Sequence, residues 1–275
     1  MNQRGAIVSA AIVILLGISV VVTESGALTY LPEGYWLRFL QPMSGLLFAI
    51  AGFLSWMYYQ ITNNVFFKML AISLFIHAGL TLESVLPVLI HYPLSMSGQL
   101  SVFQVVQMLH TLLQLTGSFL FAILLVYAII NYNGHERPLK REFLMALIVF
   151  IILYTAWRIG MLIWSAALPY TIDYVFMFTS SVLLTVIYFD GIRMALKIIK
   201  VTGSRLLKWL VAAMVLKITL SLSWIFPWIF FYSGFGTQLT MYYNYAIISI
   251  TISIPILLLT ALVACEKECR GGICS

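Results

Sequence analysis

The chain alternates long apolar stretches with short polar connectors. An apolar run of about 18 or more residues is long enough to cross the hydrocarbon core of a bilayer as a helix, which satisfies its own backbone hydrogen bonds where water is absent. The runs that meet this criterion predict transmembrane helices, numbered spans 1 to 8, at 6–22, 37–58, 66–90, 102–131, 143–168, 172–192, 206–231 and 240–264. The pattern therefore predicts an all-α bundle of eight transmembrane helices.

The composition excludes a soluble globular domain. Hydrophobic residues make up 62% of the chain and charged residues 9%, with a mean hydropathy of +1.03, whereas soluble domains carry about 25% charged residues. The connectors are also far shorter than the roughly 50 residues of a small domain. We therefore expect residues 1–264 to form a single transmembrane domain and residues 265–275 a short cytoplasmic tail.

The basic residues predict the orientation, because Lys and Arg in short loops are retained on the cytoplasmic side. Most of the 15 basic residues fall in the termini and in alternate connectors, at Arg4, Lys68, Arg137, Lys140, Arg141, Arg193, Lys197, Lys200, Arg205, Lys208, Lys267 and Arg270. The opposite connectors contain Arg38 and the acidic Glu24, Glu33 and Asp173. This distribution predicts a multi-pass protein of the cell membrane with both termini in the cytoplasm.

The net charge of +6 follows from the same topology. The basic residues cluster at predicted helix ends and are not interleaved with stacking aromatics, so the expected partner is the lipid bilayer with its anionic head groups, not nucleic acid.

Span 1 has a second interpretation as a cleaved signal peptide. Its apolar core of about 17 residues is longer than the usual 7 to 15, which favours a retained helix.

Ionisable residues inside the predicted spans are the candidate functional residues. A charge at the bilayer centre costs on the order of 3 kcal/mol on insertion scales, so such groups face the protein interior and often carry function. Five residues qualify: His77 and Glu83 in span 3, His110 in span 4, Arg158 in span 5 and Lys217 in span 7. At 1.5 Å per residue, His77 and Lys217 lie about 20 Å below the outer surface, and the other three about 10 to 15 Å below it.

Spans 3 and 4 each carry one polar stripe at helical spacing. The stripe of span 3 contains Ser73, His77, Thr81 and Ser84, and that of span 4 contains Gln104, Gln107, His110, Thr111, Gln114 and Ser118. Because the connector between these spans is short, we expect antiparallel neighbours whose stripes face each other.

Three interpretations of the two histidines are open. In the first, His77 and His110 are the axial ligands of a b-type haem iron, since neutral imidazole binds iron and small polar residues orient the ring. Their estimated depths differ by about 6 Å, although ligands of one iron should lie nearly level. In the second, they are hydrogen-bonded between helices as structural contacts. In the third, they are protonatable partners of a quinone or of a transported proton.

The intramembrane cations outnumber the acids. Glu83 is the one carboxylate available to balance both Arg158 and Lys217. One interpretation is a Glu83–Arg158 ion pair, with Lys217 reaching carbonyls or water. The other is that the surplus cation of Arg158 or Lys217 binds a haem propionate, a quinone oxygen or an anionic substrate, with Glu83 as charge balance or proton relay.

The remaining motifs are sparse. Cys265, Cys269 and Cys274 lie in the predicted tail, where cytoplasmic thiols stay reduced. A solvated tail is the simpler interpretation, and a metal site or lipidation near the membrane are the alternatives. No nucleotide-binding loop or metalloprotease motif occurs in the sequence. We also expect no internal repeat. The third span of each four-span half carries an ionisable residue, His77 or Lys217, but no other positions of the two halves correspond.

The sequence thus predicts the membrane subunit of an electron-transfer complex, possessing haem b or quinone between spans 3 and 4 and assembled with other subunits. A proton-coupled secondary transporter that uses the same five residues is the first alternative. A non-catalytic membrane anchor or assembly protein is the second.

Overall fold

The computed structural model describes residues 35–83, 100–132, 141–163, 171–223 and 237–270, and this part of the chain is helical. The helices are α1 (Tyr35–Thr62), α2 (Val65–Glu83), α3 (Leu100–Ile130), α4 (Arg141–Ile163), α5 (Thr171–Thr202), α6 (Arg205–Ser223) and α7 (Thr237–Arg270). Spans 2 to 8 each fall on one of these helices in order, whereas span 1 lies outside the described residues. The all-α prediction is confirmed for the described ranges.

Among the described residues, three helices are long and apolar enough to cross a membrane, over Met43–Thr62, Leu109–Ile130 and Arg205–Ser223. The surface agrees with this character, because large apolar side chains point outward; Phe189 is 65% exposed and Ile152 60%. Many hydroxyl groups bond back to the carbonyl four residues earlier, as Thr155 and Thr219 do, which satisfies them within their own helix. The molecule is therefore a membrane-type helical bundle.

Two tight turns join helices into antiparallel hairpins. Asn63 connects α1 to α2 with φ of 51°, and Gly203 connects α5 to α6 with φ of 69°, a left-handed conformation that Gly and Asn adopt most readily. The next residue caps the following helix in both cases, since the side chains of Asn64 and Ser204 accept hydrogen bonds from backbone N–H groups. The two turns are built alike.

Both turns lie at the same end of the bundle, which we call the turn end. The Tyr132 hydroxyl, just after α3, donates to Ser204 Oγ at the start of α6 over 2.9 Å. The Tyr58 hydroxyl in the last turns of α1 donates to the Leu262 carbonyl of α7 over 3.1 Å. Helices α1, α3, α5 and α7 therefore all run toward the turn end, and α2 and α6 run away from it.

Within the described residues, six helices form a closed ring in the order α1, α2, α3, α5, α6, α7 and back to α1. Each packs against its two neighbours in this ring, and α4 packs outside it against α3. In consequence α2 lies opposite α6, α1 opposite α5, and α3 opposite α7.

The ring is a duplication. An offset of 140 residues carries α2 onto the bounds of α6 and carries α1 and α3 onto α5 and α7. Helix contacts repeat in the same way, and both members of the pairs Phe66 and Leu206, Leu70 and Leu210, and Leu74 and Met214 are buried. The two halves are thus related by an approximate two-fold axis that passes through the centre of the ring, parallel to the helices.

The expectation of no internal repeat is therefore wrong. Identical residues at the offset are few in this hairpin, namely Thr62 and Thr202, Lys68 and Lys208, Leu70 and Leu210, Leu80 and Leu220, and Leu82 and Leu222. What repeats is the order of buried and exposed positions and the shape of the turn, and apolar residue types exchange freely at such positions. A comparison of residue identities misses a repeat of this kind.

Two bounds also differ from the prediction. Helix α5 continues to Thr202, well past residue 192, and α7 continues to Arg270 through the start of the predicted tail. Cys265 is accordingly a buried residue of α7. Cys274 lies outside the described residues, as does the side chain of Cys269.

Candidate functional site

Two ionisable side chains meet across the centre of the ring. The Lys217 Nζ atom of α6 lies 2.6 Å from the His77 Nε2 atom of α2, within hydrogen-bond distance. Lys217 is 6% exposed and His77 7%, so both are enclosed by protein. The two residues are related by the offset of 140, and their side chains therefore meet on the approximate two-fold axis.

Two phenylalanines frame the pair. The Phe121 ring of α3 stacks on the His77 ring with centroids 4.4 Å apart, and the Phe48 ring of α1 meets it edge to face at the same separation. The Lys217 Nζ atom lies 5.1 Å from the Phe121 centroid and 5.5 Å from the Phe48 centroid. At these distances the negative faces of aromatic rings stabilise an ammonium group.

The frame is anchored by packing between α2 and α3. The Ser73 hydroxyl donates to the Phe121 carbonyl over 3.0 Å, one helical turn from His77. Nearer the other end, the Gln114 amide donates to the Leu80 carbonyl over 2.6 Å. The predicted antiparallel contact of spans 3 and 4 is confirmed, and the span 4 stripe faces α2 at Gln114.

The contact between the two nitrogens holds one proton. A hydrogen bond at this distance needs a lone pair on one partner, which an ammonium group lacks. The arrangement is therefore either an ammonium or amine donating to a neutral imidazole, or a neutral amine accepting from the imidazole N–H. In both arrangements His77 Nδ1 is buried without a hydrogen-bond partner among the described residues.

None of the described carboxylates contacts Lys217, whose polar partner is His77. Glu83 is the last residue of α2 and Arg158 lies in α4, but the side chains of both lie outside the described part of the structure. The predicted Glu83–Arg158 pair and the predicted roles of both residues stay predictions.

His110 lies farther along α3. The contacts of Ser73 with Phe121 and of Leu80 with Gln114 place Gly117 opposite His77, so His110 is seven residues, about 10 Å, farther along the axis. The side chain of His110 is half-buried. A shared haem iron would require a shift along the helix axis, and ligation through His77 Nε2 would also require its release from Lys217. The haem assignment stays a prediction.

Sequence reasoning found His77 and Lys217 separately but missed their contact and its aromatic frame. Phe48 and Phe121 were indistinguishable from other apolar residues. The detectable signal was the repeat, because equivalent positions opposite each other in a two-fold ring approach the same axis. Another buried polar residue, Ser44, was also missed; its Oγ has no hydrogen-bond partner among the described residues.

Comparisons of the chain with protein-family models, with curated proteins and with solved structures found no match.

Proposed function

We propose that the protein is a proton-coupled secondary transporter of the cell membrane and that the His77–Lys217 pair is its proton-binding site. The observation that carries the proposal is the 2.6 Å contact between two titratable nitrogens at the centre of an apolar bundle. Groups of this kind are costly in a membrane protein and mark ion pathways and proton relays. A single shared proton is what a coupled cycle must bind and release.

The internal repeat supports the same class. Many secondary transporters consist of repeats, including parallel repeats related by an axis along the membrane normal, and bind substrate and coupling ion near the midplane where the repeats meet. The pair lies on such an interface, with one residue from each half. Rocking of the halves would expose it to either side in turn.

The proposed topology has eight transmembrane helices with both termini in the cytoplasm. The offset of 140 carries the predicted span 1, residues 6–22, onto residues 146–162 of α4. Four-span halves keep one orientation, as the parallel repeat requires. The turn end bears the exposed cations Lys200, Arg205 and Lys208, which supports a cytoplasmic turn end by the positive-inside rule.

The test of function is proton movement in proteoliposomes that contain a trapped pH dye. Imposed gradients of candidate solutes should change the internal pH with the wild-type chain, and Lys217→Met and His77→Gln should abolish the change. Lys208→Met is the matched control, since it removes an exposed cation from the same helix. Equal proton movement in wild type and Lys217→Met would contradict the proposal.

The electron-transfer function is the second candidate, favoured by the placement of His77 and His110 on neighbouring antiparallel helices. It predicts a reducible haem spectrum of the purified protein that is lost in His77→Ala or His110→Ala. A colourless protein without quinone, and without proton movement, would leave the anchor or assembly role.

A further inference from the structure

The ring interior differs on the two sides of the His77–Lys217 pair. Toward the turn end, the inward positions of α2, α3 and α6 hold large apolar side chains that are almost fully buried: Leu70, Leu74, Leu125, Ile129, Leu210 and Met214. We call this the apolar half. These side chains close the bundle between the pair and the turns.

The opposite side, the polar half, carries hydrogen-bonding side chains on the same inward faces. Thr81 and Ser221 each follow the ionisable residue of their helix by one turn, and Gln114 precedes Phe121 by about two turns. Residues four apart share a helix face, so Thr81 and Ser221 project beside His77 and Lys217. The two repeat-related parts of the chain thus show the same change from apolar to polar side chains across the pair.

Among the described residues, the buried hydroxyls of Ser44 and Ser55 on α1 have no hydrogen-bond partner, and Ser44 is the one on the polar side of the pair. It lies four residues before Phe48, which contacts His77, and therefore on the α1 face that points to the pair. Its side chain is 0% exposed, and its Oγ has no hydrogen-bond partner among the described residues. An unmade hydrogen bond at a buried hydroxyl costs about 1 to 3 kcal/mol, which a ligand oxygen would recover.

The charges indicate the class of ligand. In its ammonium form, Lys217 is a buried cation that none of the described carboxylates contacts. Toward the polar half, Ser44 carries an O–H donor, and the Gln114 amide, which donates to the Leu80 carbonyl, carries a second N–H. An ammonium group with hydrogen-bond donors toward one side of it suits a negatively charged oxygen acceptor.

We infer that the polar half binds a small solute bearing an oxyanion group, a carboxylate or phosphate, with its charge toward Lys217, and that the solute enters from the end opposite the turns. This inference rests on the proposed transport function and names the substrate class of the same site. In the proposed orientation, entry is from the outside of the cell.

The access test uses cysteine reporters on either side of the pair. In a background with Cys265→Ala, Cys269→Ser and Cys274→Ser, the polar-half variants are Thr81→Cys and Ser221→Cys. The repeat-related apolar controls are Leu74→Cys and Met214→Cys. A membrane-impermeant anionic thiosulfonate should label the polar-half cysteines from outside in intact cells and leave the controls unlabelled; equal labelling of all four, or labelling only in inside-out vesicles, would overturn the access route.

The ligand test measures protection of Ser221→Cys by inorganic phosphate and by succinate. In phosphatidylcholine nanodiscs, a probe at about ten times its Kd should slow labelling about tenfold, and adding Lys217→Met should remove this protection. Protection by phosphatidylglycerol nanodiscs alone would assign the oxyanion to a lipid head group. If inorganic phosphate, succinate and phosphatidylglycerol nanodiscs all fail to protect the cysteine, the oxyanion assignment is overturned.

The two proposals fail separately. If proton movement depends on His77 and Lys217 but no oxyanion protects the reporters, the substrate class is wrong and the transport function stands. If oxyanions protect the reporters but no proton moves, the site is a binding site without proton coupling. Thr81→Cys provides a second reporter for protection if Ser221→Cys does not fold, as judged by size-exclusion chromatography.

Discussion

At the scale of residues, the molecule depends on a lysine and a histidine that satisfy each other inside an apolar ring. The ammonium or amine of Lys217 has His77 as its hydrogen-bonding partner, with the remaining contacts made by aromatic faces. A buried polar pair loses much more when one partner is removed than when both are replaced by apolar groups of similar shape. This asymmetry is testable.

We predict that His77→Leu destabilises the protein by about 2 to 4 kcal/mol, because it leaves Lys217 buried without a hydrogen-bonding partner. Lys217→Met should cost less than about 1.5 kcal/mol, since neutral His77 is cheaper to leave unpaired and Met fills a similar volume. Thermal unfolding in detergent, followed by tryptophan fluorescence, measures both.

The double variant completes a thermodynamic cycle. His77→Leu combined with Lys217→Met should be more stable than His77→Leu alone, with a coupling energy of about 1 to 3 kcal/mol between the two sites. Additive effects would mean that the two side chains do not interact in the folded protein.

At the scale of elements, the hairpins and the close approach of α2 to α3 set the level of each inward-facing residue. A Cβ atom on Gly117 would overlap the Leu80 side chain, whereas a Cβ on Gly79 meets nothing within 4 Å. Gly117 lies opposite His77 in the register of the two helices. The glycine therefore permits the close packing that brings Phe121 onto the imidazole.

We expect Gly117→Val to destabilise the protein by about 1 to 3 kcal/mol through overpacking between α2 and α3. Gly79→Val is the matched control, because it places the same side chain on the exposed face of α2. Thermal melting of the two variants decides: equal melting temperatures would show that α2 and α3 are not in close contact at Leu80.

The turns give a second prediction at this scale. Replacing Gly203 with Ala should cost about 1 to 2 kcal/mol, because a Cβ atom disfavours the left-handed conformation. Asn63→Gly, at the equivalent turn, should be neutral or slightly stabilising for the same reason. A loss of stability in Asn63→Gly as large as that in Gly203→Ala would contradict equivalent backbone conformations.

At the scale of the whole molecule, two three-helix units close one ring and share one core. The contacts of α3 with α5 and of α7 with α1 join the halves, and the hydrogen bond from Tyr58 to the Leu262 carbonyl crosses one of these interfaces. The His77–Lys217 contact, the proposed proton site, forms only when the halves are together, since each half contributes one of its nitrogens.

We predict that the chain divided between residues 136 and 137 assembles when both fragments are co-expressed. A tag on fragment 1–136 should retain fragment 137–275 through detergent purification, because the repeated helix interfaces bury large apolar side chains from both halves. A single fragment expressed alone serves as the control. Recovery of a stable, monomeric single half would contradict the shared core.

The helices at 37–58 and 240–264, the antiparallel contact of spans 3 and 4, and the inward placement of His77 and Lys217 followed from apolar run length, connector length and the cost of burying charge. The depth estimate placed His77 and Lys217 at one level, and the structure joins them. The estimate for His110 was about 6 Å from His77, and the register gives about 10 Å.

The sequence by itself determined the apolar helices and the ionisable residues they enclose, because run length and the energetics of burial act on each segment separately. Only the tertiary structure decided which helices are neighbours, that the halves repeat, and that Lys217 meets His77 between two aromatic rings. These features depend on contacts between residues distant in the chain, and apolar side chains of many types satisfy such contacts equally well. Residue identities alone therefore do not show the helix neighbours, the repeat or the Lys217–His77 contact, whereas the geometry of the ring does.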